Sequence, residues 1–508
     1  MLILRFISAH TEIKYMTRKH YLIYICIAVF ICIVPFAAMT FHATNTTSEN
    51  KTLKEMPSLF TDEGFNISFM SELGDYFTDR FAFRNELVSA NAALSSKLLK
   101  TSTVDDVILG ENDWLYYSAT LDDYRHDNGV SERMLYNMAH NVRLMQDYTE
   151  AQGRTFVFTI APNKNSLYGE NMPDRYKYIV EEESDAERLK PYLEAEGVNY
   201  LDLFELFNEQ DEVLYYRKDS HWNNKGAVLV YNELLDMAGI EHETYEDNEP
   251  AIVSDYYGDL NKMLYADLAK PENDYSYRDS FPYTTADPEA TVEDNIVETT
   301  CPDGTWRLLM YRDSFGNTLL PYMASEFSEG YFSKVVPYPF TDDLEATDAD
   351  VVIAEKVERH LPTLAQVVPV MEAGVINRSA EESVISYGLE GLELDLNEGL
   401  VSALNELAGR NGWNPESSEV LCDFNVSADN GFIKIDGNIE EGGIDEDSPI
   451  YVQIDYPGET VIYSAFCVSS KAGDYGFTAY ITPGEEDITN IDIIGVKDKK
   501  LILLDKGN

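Results

Sequence analysis

The sequence has few cysteines and few basic residues. Cysteine occurs 5 times in 508 residues, and two of these, Cys26 and Cys32, lie in an apolar run near the N-terminus. The remaining three are too few for a disulfide framework, although one pair, Cys422 with Cys467, could bridge two strands. Lysine and arginine together number 38 against 90 aspartates and glutamates, so the net charge is -52. Such a negative field argues against nucleic acid as a partner and disfavours polyanionic substrates.

Sequence motifs for metals, nucleotides and cofactors are also missing. The chain contains no HExxH, no CxxC, no D-x-[DN]-x-[DN]-G loop, no GxGxxG and no Walker-type loop. The acidic stretch IDEDSP (444–449) is better interpreted as a solvated loop than as a calcium site. We therefore expect no metal and no cofactor.

A long apolar run near the N-terminus indicates where the protein lies. Residues 21–41 contain no charged side chain and are numerous enough to cross the hydrocarbon core of a membrane as a helix. Basic residues precede this run and a long acidic body follows it, so the positive-inside rule predicts a cytosolic N-terminus and an extracellular body. A cleaved signal peptide is the alternative, but its apolar region should be shorter. The sequence thus predicts a single-pass membrane protein.

The rest of the chain divides by its apolar pattern. Predominantly apolar runs of strand length, such as TFVFTIAP (155–162) and DVVIAE (350–355), alternate with helical patterns. This alternation is typical of a mostly parallel sheet that is covered on both faces by helices. After about residue 372, and after one predicted helix at 398–409, short alternating strands follow without helices. That pattern predicts a β-sandwich at about 418–508.

A serine stands where catalytic residues of α/β proteins collect. The strand WRLLMY (306–311) runs into a tight turn that contains Ser314 and Gly316 and then into an apparent helix. Backbone N–H groups at the start of a helix can stabilise an oxyanion that forms beside such a serine. The G-x-S-x-G elbow is missing, so the α/β-hydrolase fold is not expected. Taken alone, the same stretch would also serve as an ordinary helix cap.

A serine nucleophile needs a base, and the base needs an orienting group. Among the 8 histidines, only His221 has both a carboxylate two positions away, Asp219, and a helix directly after it. Positions i and i+2 of an extended segment face the same way, so Asp219 could hold one ring nitrogen while the other faces the serine. In the alternative interpretation, Asp219 and Ser220 cap the helix and His221 packs beside Trp222.

Several stretches together resemble the SGNH-hydrolase-like family that includes the alginate O-acetyltransferases and the related DHHW proteins of Gram-positive bacteria. The resemblance covers residues 70–371, and six stretches occur in the order of the family. They are DYFTDRFAFRNELV, VILGENDWLYY, FVFTIAPNKNSLYGENMP, KDSHWNNKGA, LLMYRDSFGNTLLPY and DVVIAEKVERHL. The motif here reads D-S-H-W, with Ser220 in place of the first histidine, so the branch of the family and the substrate stay open.

The resemblance implies a catalytic triad of Ser314, His221 and Asp219 in an extracytoplasmic enzyme that handles acetyl esters on a polysaccharide. For a transferase it also implies a separate membrane-bound acyltransferase that supplies acetyl groups. Further matched residues are candidates for the oxyanion or the substrate, namely Gly316, Asn317, Arg312, Lys164 and Trp222. Asn317 could instead cap the helix, and Trp222 could belong to the core rather than stack on a sugar. Glu355 and Arg359 are expected to pair and fix a loop near the site.

The complete prediction divides the chain into five segments. They are a cytoplasmic leader (1–20), of which 1–15 read as an extension upstream of a start at Met16; a transmembrane anchor (21–41); a stalk (42–69); an SGNH-like three-layer α/β domain (70–371); and a C-terminal domain (372–508) that contains the β-sandwich.

The function that we predict is serine-dependent acetyl transfer to or from a cell-surface or secreted polysaccharide. Because the acidic surface would repel a polyuronate, a neutral or amino-sugar polymer is the expected acceptor. The rival interpretation is a non-catalytic glycan-binding or structural protein of the cell envelope with a vestigial triad. Tyrosines expected on the surface of the sandwich, Tyr451, Tyr456 and Tyr463, fit either function.

Overall fold

The structure is a computed structural model. It describes residues 20–30, 33–34, 37–39, 41, 53–61, 64–127, 129–245, 248–377, 384–386, 415–469, 474–484 and 486–506. Nearly all of the predicted leader and the whole of the predicted helix at 398–409 lie outside these residues. Residues 20–30 are helical, but in the part of the chain that is described no helix is both long and apolar enough to cross a membrane. The anchor and the stalk remain predictions.

The described chain forms two compact units. The first comprises Met1–Ser118 and Asp255–Glu272, and the second comprises Ala119–Ser254 and Asn273–Asn508. The strands Ala251–Tyr256 and Glu272–Ser276 pair with each other, and a 3-10 turn spans Ser118–Thr120.

The first unit is mainly helical. Its helices are Phe69–Arg80, Arg84–Leu94 and Asp259–Tyr265, with a π-helical turn at Ser95–Leu99 and a 3-10 turn at Ala266–Leu268. Its strands form two hairpins, Phe60–Thr61 with Gly64–Phe65 and Val107–Leu109 with Leu115–Tyr117. A small core of Ala92, Val107, Leu115, Leu260 and Leu264 holds this unit together.

The second unit is built on a seven-stranded sheet. Its strands are β1 (Thr155–Ala161), β2 (Tyr200–Leu201), β3 (Thr284–Thr285), β4 (Ile296–Thr300), β5 (Trp306–Tyr311), β6 (Phe327–Ser333) and β7 (Val351–Val357). They follow the order β2-β1-β7-β5-β6-β4-β3. The first five in that order are parallel, and β4 and β3 add an antiparallel edge. The predicted mostly parallel sheet is confirmed.

Helices cover both faces of this sheet. They are α1 (Leu121–Arg125), α2 (Glu132–Glu150), α3 (Lys164–Tyr168), α4 (Asp185–Ala195), α5 (Leu203–Asn208), α6 (Asn224–Met237), α7 (Gly316–Glu326), α8 (Phe340–Thr347) and α9 (Thr363–Gln366), with 3-10 turns at Gly169–Asn171, Asp174–Tyr176 and Glu358–His360. Alternate residues of β1 enter different cores, because successive side chains of a strand point to opposite faces. Phe156 and Phe158 join the core that contains α2, whereas Val157 joins the core that contains α6 and α7.

The C-terminal strands form one closed sheet. They are β8 (Val375–Asn377), β9 (Val384–Ser386), β10 (Glu416–Asp429), β11 (Phe432–Ile439), β12 (Ile450–Tyr456), β13 (Glu459–Val468), β14 (Tyr475–Ile481), β15 (Asn490–Lys497) and β16 (Lys500–Lys506). The order is β9-β8-β13-β12-β15-β16-β10-β11-β14, and β14 pairs back onto β13. The all-β prediction is confirmed, and the strands close into a barrel-like or sandwich-like region. Closure leaves the ring without free edges.

Two details of the predicted β-domain differ in the structure. Cys422 and Cys467 are both free thiols and both buried, because their strands pair with β11 and β14 rather than with each other. Of the three tyrosines expected on the surface, Tyr451 is only 3% exposed and belongs to the core, while Tyr456 and Tyr463 are partly buried and bring their hydroxyls together at 3.4 Å.

Candidate active site

Ser314 lies in the turn between β5 and α7, at the carboxyl end of a central parallel strand. The preceding residue, Asp313, shapes this turn with its side chain. Its Oδ1 accepts a hydrogen bond from the backbone N–H of Phe315 at 2.9 Å, and its Oδ2 accepts one from the N–H of Val357 at 2.7 Å. The carboxylate therefore ties the turn that holds the serine to the end of the neighbouring strand β7.

A second loop brings the histidine to the same edge of the sheet. Tyr215 and Trp222 form an isolated antiparallel bridge, and the N–H of Tyr216 donates to the carbonyl of His221 at 3.2 Å. Helix α6 begins directly after this turn. Its N-cap is Asn223, whose side-chain oxygen accepts from the N–H groups of residues 225 and 226. The short segment 217–221 is thus fixed at both ends.

The structure brings the three residues of the predicted triad together. His221 Nδ1 lies 2.7 Å from Asp219 Oδ1, and His221 Nε2 lies 2.9 Å from Ser314 Oγ. Asp219 Oδ1 also accepts the backbone N–H of His221 at 3.0 Å. With Nδ1–H donating to the carboxylate, Nε2 is left as the acceptor for the serine hydroxyl. The arrangement is an uninterrupted relay from a carboxylate through an imidazole to a hydroxyl.

Burial supports the orientation of this relay. Asp219 is only 2% exposed, whereas the His221 side chain keeps 18% of its surface accessible. The imidazole packs edge-on against the Phe315 ring with centroids 4.7 Å apart. Ser220, which replaces the first histidine of the DHHW motif, places its hydroxyl 3.2 Å from Nδ1 of His221. The imidazole is therefore held from its Nδ1 side and open toward the serine.

The start of α7 offers donors for an oxyanion. In the described part of the chain nothing accepts a hydrogen bond from the backbone N–H of Ser314 or Gly316, whereas the N–H of Phe315 is bound by Asp313 and that of Asn317 by the Ser314 carbonyl. Gly316 fits closely, since a Cβ atom there would lie 2.7 Å from Cβ of Arg312. The N–H of Ser314 itself is a donor that the sequence analysis missed.

Arg312 and Asn317 hold a neighbouring loop rather than a substrate atom. Arg312 is buried and donates to the carbonyls of Val292 and Asp294, at 3.1 and 3.2 Å, and to Oδ1 of Asn317. The amide of Asn317 donates to Glu293 at 2.8 Å. The amide nitrogen of Asn317 is thus directed toward Glu293, and no side-chain helix cap forms at the start of α7. Burial lowers the pKa of Arg312 to about 10, which leaves it charged at neutral pH.

Lys164 and Trp222 also differ from their expected roles. Lys164 is 3% exposed, and its ammonium donates to the carbonyls of Tyr216, Arg217 and Asp219. Its three N–H donors therefore hold the loop that carries His221 (residues 216–221, the histidine loop) instead of facing a sugar. Trp222 is fully buried beside Phe315, with ring centroids 4.8 Å apart, so it belongs to the core and cannot stack on a substrate.

Glu355 and Arg359 do not pair with each other as expected, because each contacts a different residue. Glu355 accepts the backbone N–H of Asp313 at 2.9 Å. The guanidinium of Arg359 lies 5.9 Å from the centre of the Phe315 ring and donates to Asn163 at 3.4 Å. Both still support the site, because Asp313 and Phe315 flank the serine on either side.

Two acidic residues that the sequence did not point to, Glu358 and Asp123, lie next to these residues. Glu358 accepts from the N–H of Asn163 at 2.8 Å and from the hydroxyl of Ser166 at 2.7 Å. Burial, with repulsion from Asp123, raises the pKa of Glu358 to about 8, and burial raises that of Asp123 to about 6. Glu358 follows the strand DVVIAE closely, so its position at the end of a strand was the available signal.

Comparisons with known proteins agree with the motifs. Residues 107–300 match the family model described as SGNH hydrolase-like domain, acetyltransferase AlgX. This range includes Asp219 and His221 and ends before Ser314, so the place of the serine rests on the geometry above. No curated protein matches the chain.

Several solved structures are similar to this chain at low identity. Bacillus cereus PatB1 is 14% identical with a TM-score of 0.40, over 50% of this chain and 96% of PatB1. A DHHW family protein from Eubacterium siraeum is 18% identical with a TM-score of 0.35, over 44% of this chain and 85% of that protein. AlgX from Pseudomonas aeruginosa is 14% identical with a TM-score of 0.31, over 77% of this chain and 90% of AlgX. The family model confirms the resemblance drawn from the sequence motifs: residues 107–300 are similar to the SGNH hydrolase-like domain of the acetyltransferase AlgX.

Proposed function

We propose that this protein is an extracellular, membrane-anchored enzyme that transfers acetyl groups to or from a polysaccharide through Ser314. The observation that carries the proposal is the relay of Asp219, His221 and Ser314, with contacts of 2.7 and 2.9 Å, at the start of a helix. A hydroxyl that hydrogen-bonds an imidazole, itself oriented by a buried carboxylate, is what nucleophilic catalysis of acyl transfer requires. The matching family model, whose description names an acetyltransferase, supports acetyl as the group that is transferred.

In the first step, His221 Nε2 takes the proton of Ser314 while Oγ attacks the carbonyl carbon of an acetyl ester. The carbonyl oxygen becomes an oxyanion, which accepts hydrogen bonds from the N–H groups of Gly316 and Ser314. Asp219 stabilises the imidazolium. The tetrahedral intermediate then collapses, the alcohol of the donor leaves with the proton from His221, and an acetyl ester of Ser314 remains.

In the second step, His221 takes a proton from an acceptor hydroxyl, either of a sugar or of water. The acceptor oxygen attacks the acetyl-serine carbonyl, and the same N–H groups bind the new oxyanion. Collapse breaks the bond to Oγ, and Ser314 recovers its proton from His221. The acetyl group has moved from one oxygen to another, so atoms balance without a cofactor.

The sequence supports the proposed location and partners. The uncharged run at 21–41, preceded by basic residues, supports an anchor with the catalytic domain outside the cell. A membrane-bound acyltransferase would supply acetyl groups if the enzyme is a transferase. With a net charge of -52, the protein should favour a neutral or amino-sugar acceptor over a polyuronate.

Release of p-nitrophenol from p-nitrophenyl acetate tests the proposal. The full chain should hydrolyse this ester, and Ser314→Ala should reduce kcat by at least about a thousandfold, because it removes the nucleophile. Ser328→Ala is the matched control. Its hydroxyl lies on β6 and donates to the Trp306 carbonyl, so this variant should keep the wild-type rate. Equal rates in all three proteins would contradict the proposal and favour a glycan-binding protein with a vestigial triad.

A further inference from the structure

A second carboxyl group lies beneath the catalytic turn and takes no part in the steps above. Glu355, on β7, has no exposed surface. Its Oε2 accepts the backbone N–H of Asp313 at 2.9 Å. Its other oxygen, Oε1, is buried and has no hydrogen-bond partner among the described residues. A buried carboxylate oxygen without a donor is costly, so its state requires a physical explanation.

The carboxyl group of Asp313 is close enough to that of Glu355 to act on its pKa. Both oxygens of Asp313 already accept backbone N–H groups, from Phe315 at 2.9 Å and Val357 at 2.7 Å. Each oxygen of the Asp313 carboxyl group is thus already used as an acceptor. Two neighbouring negative charges, one of them on a fully buried group, repel each other, so Glu355 should hold a proton. Burial, then the charge of Asp313, raises the pKa of Glu355 well above its ordinary value.

We propose that Glu355 is a positioning residue that keeps a proton and shares it with Asp313, and that loss of this proton sets the alkaline limit of Ser314 reactivity. The proposal rests on the acyl-transfer function proposed above. A hydroxyl on Oε1 would donate to the Asp313 carboxylate and so give the unpartnered oxygen a role. Deprotonation would place two negative charges against the residue before Ser314, and the turn would have to shift to separate them.

Other charged and titratable groups face Glu355, and none of them removes the repulsion. Lys356 follows it on β7, but its ammonium lies over the Tyr338 ring, 5.1 Å from the centre. Its attraction is weaker than the effects of burial and of Asp313 on the pKa of Glu355. The guanidinium of Arg312 is used by the loop at 292–294 and by Asn317. Tyr215, from the histidine loop, donates its hydroxyl to the Pro162 carbonyl.

The Glu355→Gln variant separates a shared proton from a purely structural hydrogen bond. The amide oxygen of glutamine still accepts the N–H of Asp313, and its NH₂ group donates to the Asp313 carboxylate at every pH. The matched control is Glu326→Gln at the far end of α7, where a half-buried carboxyl is removed from the same helix. We would measure kcat and KM with p-nitrophenyl acetate as a function of pH, and thermal unfolding over the same range.

The wild type and the control should lose kcat on the alkaline side, while KM stays unchanged. Glu355→Gln should have a similar kcat at neutral pH, within about threefold, and should keep its rate where the wild type loses it. The direction in which stability changes with pH is also determined. A glutamate whose pKa is raised on folding contributes fully below its ordinary pKa of 4.5, and this stability is lost as pH rises through the folded value. The difference in unfolding temperature between wild type and Glu355→Gln should therefore change with pH in that direction.

The proposal would be overturned if Glu355→Gln and the wild type lost kcat at the same alkaline pH and showed the same pH dependence of the unfolding temperature. If the wild type hydrolyses no ester at all, the proposed function fails, but the unfolding data still test the shared proton. If Glu355→Gln does not fold, Asp313→Asn replaces it. Removal of the facing charge should then make the loss of stability with pH shallower than in the wild type, and an unchanged slope would contradict the shared proton.

Discussion

At the scale of single residues, Asp219 performs two tasks with one buried oxygen. Its Oδ1 accepts both the ring Nδ1–H and the backbone N–H of His221, at 2.7 and 3.0 Å. The first contact selects the tautomer, and the second fixes the backbone that carries the ring. Because three carbonyls of the same loop are held by Lys164, the carboxylate does not have to stabilise the loop alone. This division explains why an isolated dyad in a loop can keep its geometry.

The first prediction concerns the tautomer of His221. Asp219→Asn keeps the size of the side chain but can donate an amide N–H to Nδ1, which moves the ring proton to Nε2, opposite Ser314. We expect kcat for p-nitrophenyl acetate to fall about 10⁴-fold, with little change in KM or in the unfolding temperature. A kcat within tenfold of the wild type would mean that the carboxylate has no catalytic task.

The second prediction is a pH dependence of stability from Glu358. Burial first, then Asp123, raises the pKa of this group to about 8 from an ordinary value of 4.5. Its contribution is thus complete below about pH 4.5 and is lost as pH rises through about 8. Relative to Glu358→Gln, the free energy of unfolding of the wild type should fall between about pH 5 and about pH 9, as measured with urea. A constant difference across this range would show that Glu358 does not titrate in it.

At the scale of elements, the site is built where two connections leave the sheet. The turn from β5 to α7 carries the nucleophile, and the loop before α6 carries the base. Each turn is closed by a side chain that accepts two backbone N–H groups, Asp313 in the first and Asn223 in the second. The two helices pack in one core with Phe315 and Trp222, so their starting points are held together.

The third prediction tests the cap of α6. Asn223→Ala removes acceptors from the N–H groups of residues 225 and 226 and a donor to the carbonyl of Val213. We expect a loss of about 1–2 kcal/mol in the free energy of unfolding, together with a lower kcat because His221 is two residues away. Chemical denaturation measures the first effect. The control is Asn224→Ala, whose side chain contacts Asp274 and which should cost less than about 0.5 kcal/mol. Equal losses in both variants would contradict the assignment of the cap.

Periodicity predicted the elements of the α/β sheet well, for a physical reason. A run such as TFVFTIA is buried on both faces of a parallel sheet, so most of its positions are apolar and the pattern is visible locally. The strands of the barrel were also recognised, but not their pairing. Closure between β13 and β14 depends on which strands meet after folding, and the residues of a strand do not encode its neighbour.

At the scale of the molecule, α2 connects the α/β sheet to the barrel within one compact unit. This helix is buried on nearly all sides and carries polar residues on the side of the barrel. Asn141 donates to the carbonyls of Leu364 and Cys467 and accepts the N–H of Cys467, each at 2.9 Å. Arg133 donates to the carbonyl of Ser448 at 2.6 Å. The barrel and the sheet are thus joined by buried hydrogen bonds as well as by apolar contacts.

The fourth prediction follows from this connection. Asn141→Leu leaves two carbonyls and one N–H group buried without partners, so the free energy of unfolding should fall by about 2–5 kcal/mol. Because the barrel and the α/β sheet share α2, they should unfold in one transition in both wild type and variant, as measured by calorimetry. Gln152→Leu, just after the end of α2, is the control and should change stability little. Separate transitions for sheet and barrel in the wild type would show that α2 does not couple them.

The sequence by itself determined the alternation of strands and helices and the all-β character of the C-terminal part, because these patterns repeat over a few residues. It also pointed to Asp219, His221 and Ser314, since chemistry limits which residues can form such a relay. Only the tertiary structure decided what the supporting residues contact. Lys164 binds three carbonyls, Trp222 is enclosed in the core, and Glu355 faces Asp313, because side chains distant in sequence meet only when the sheet has formed.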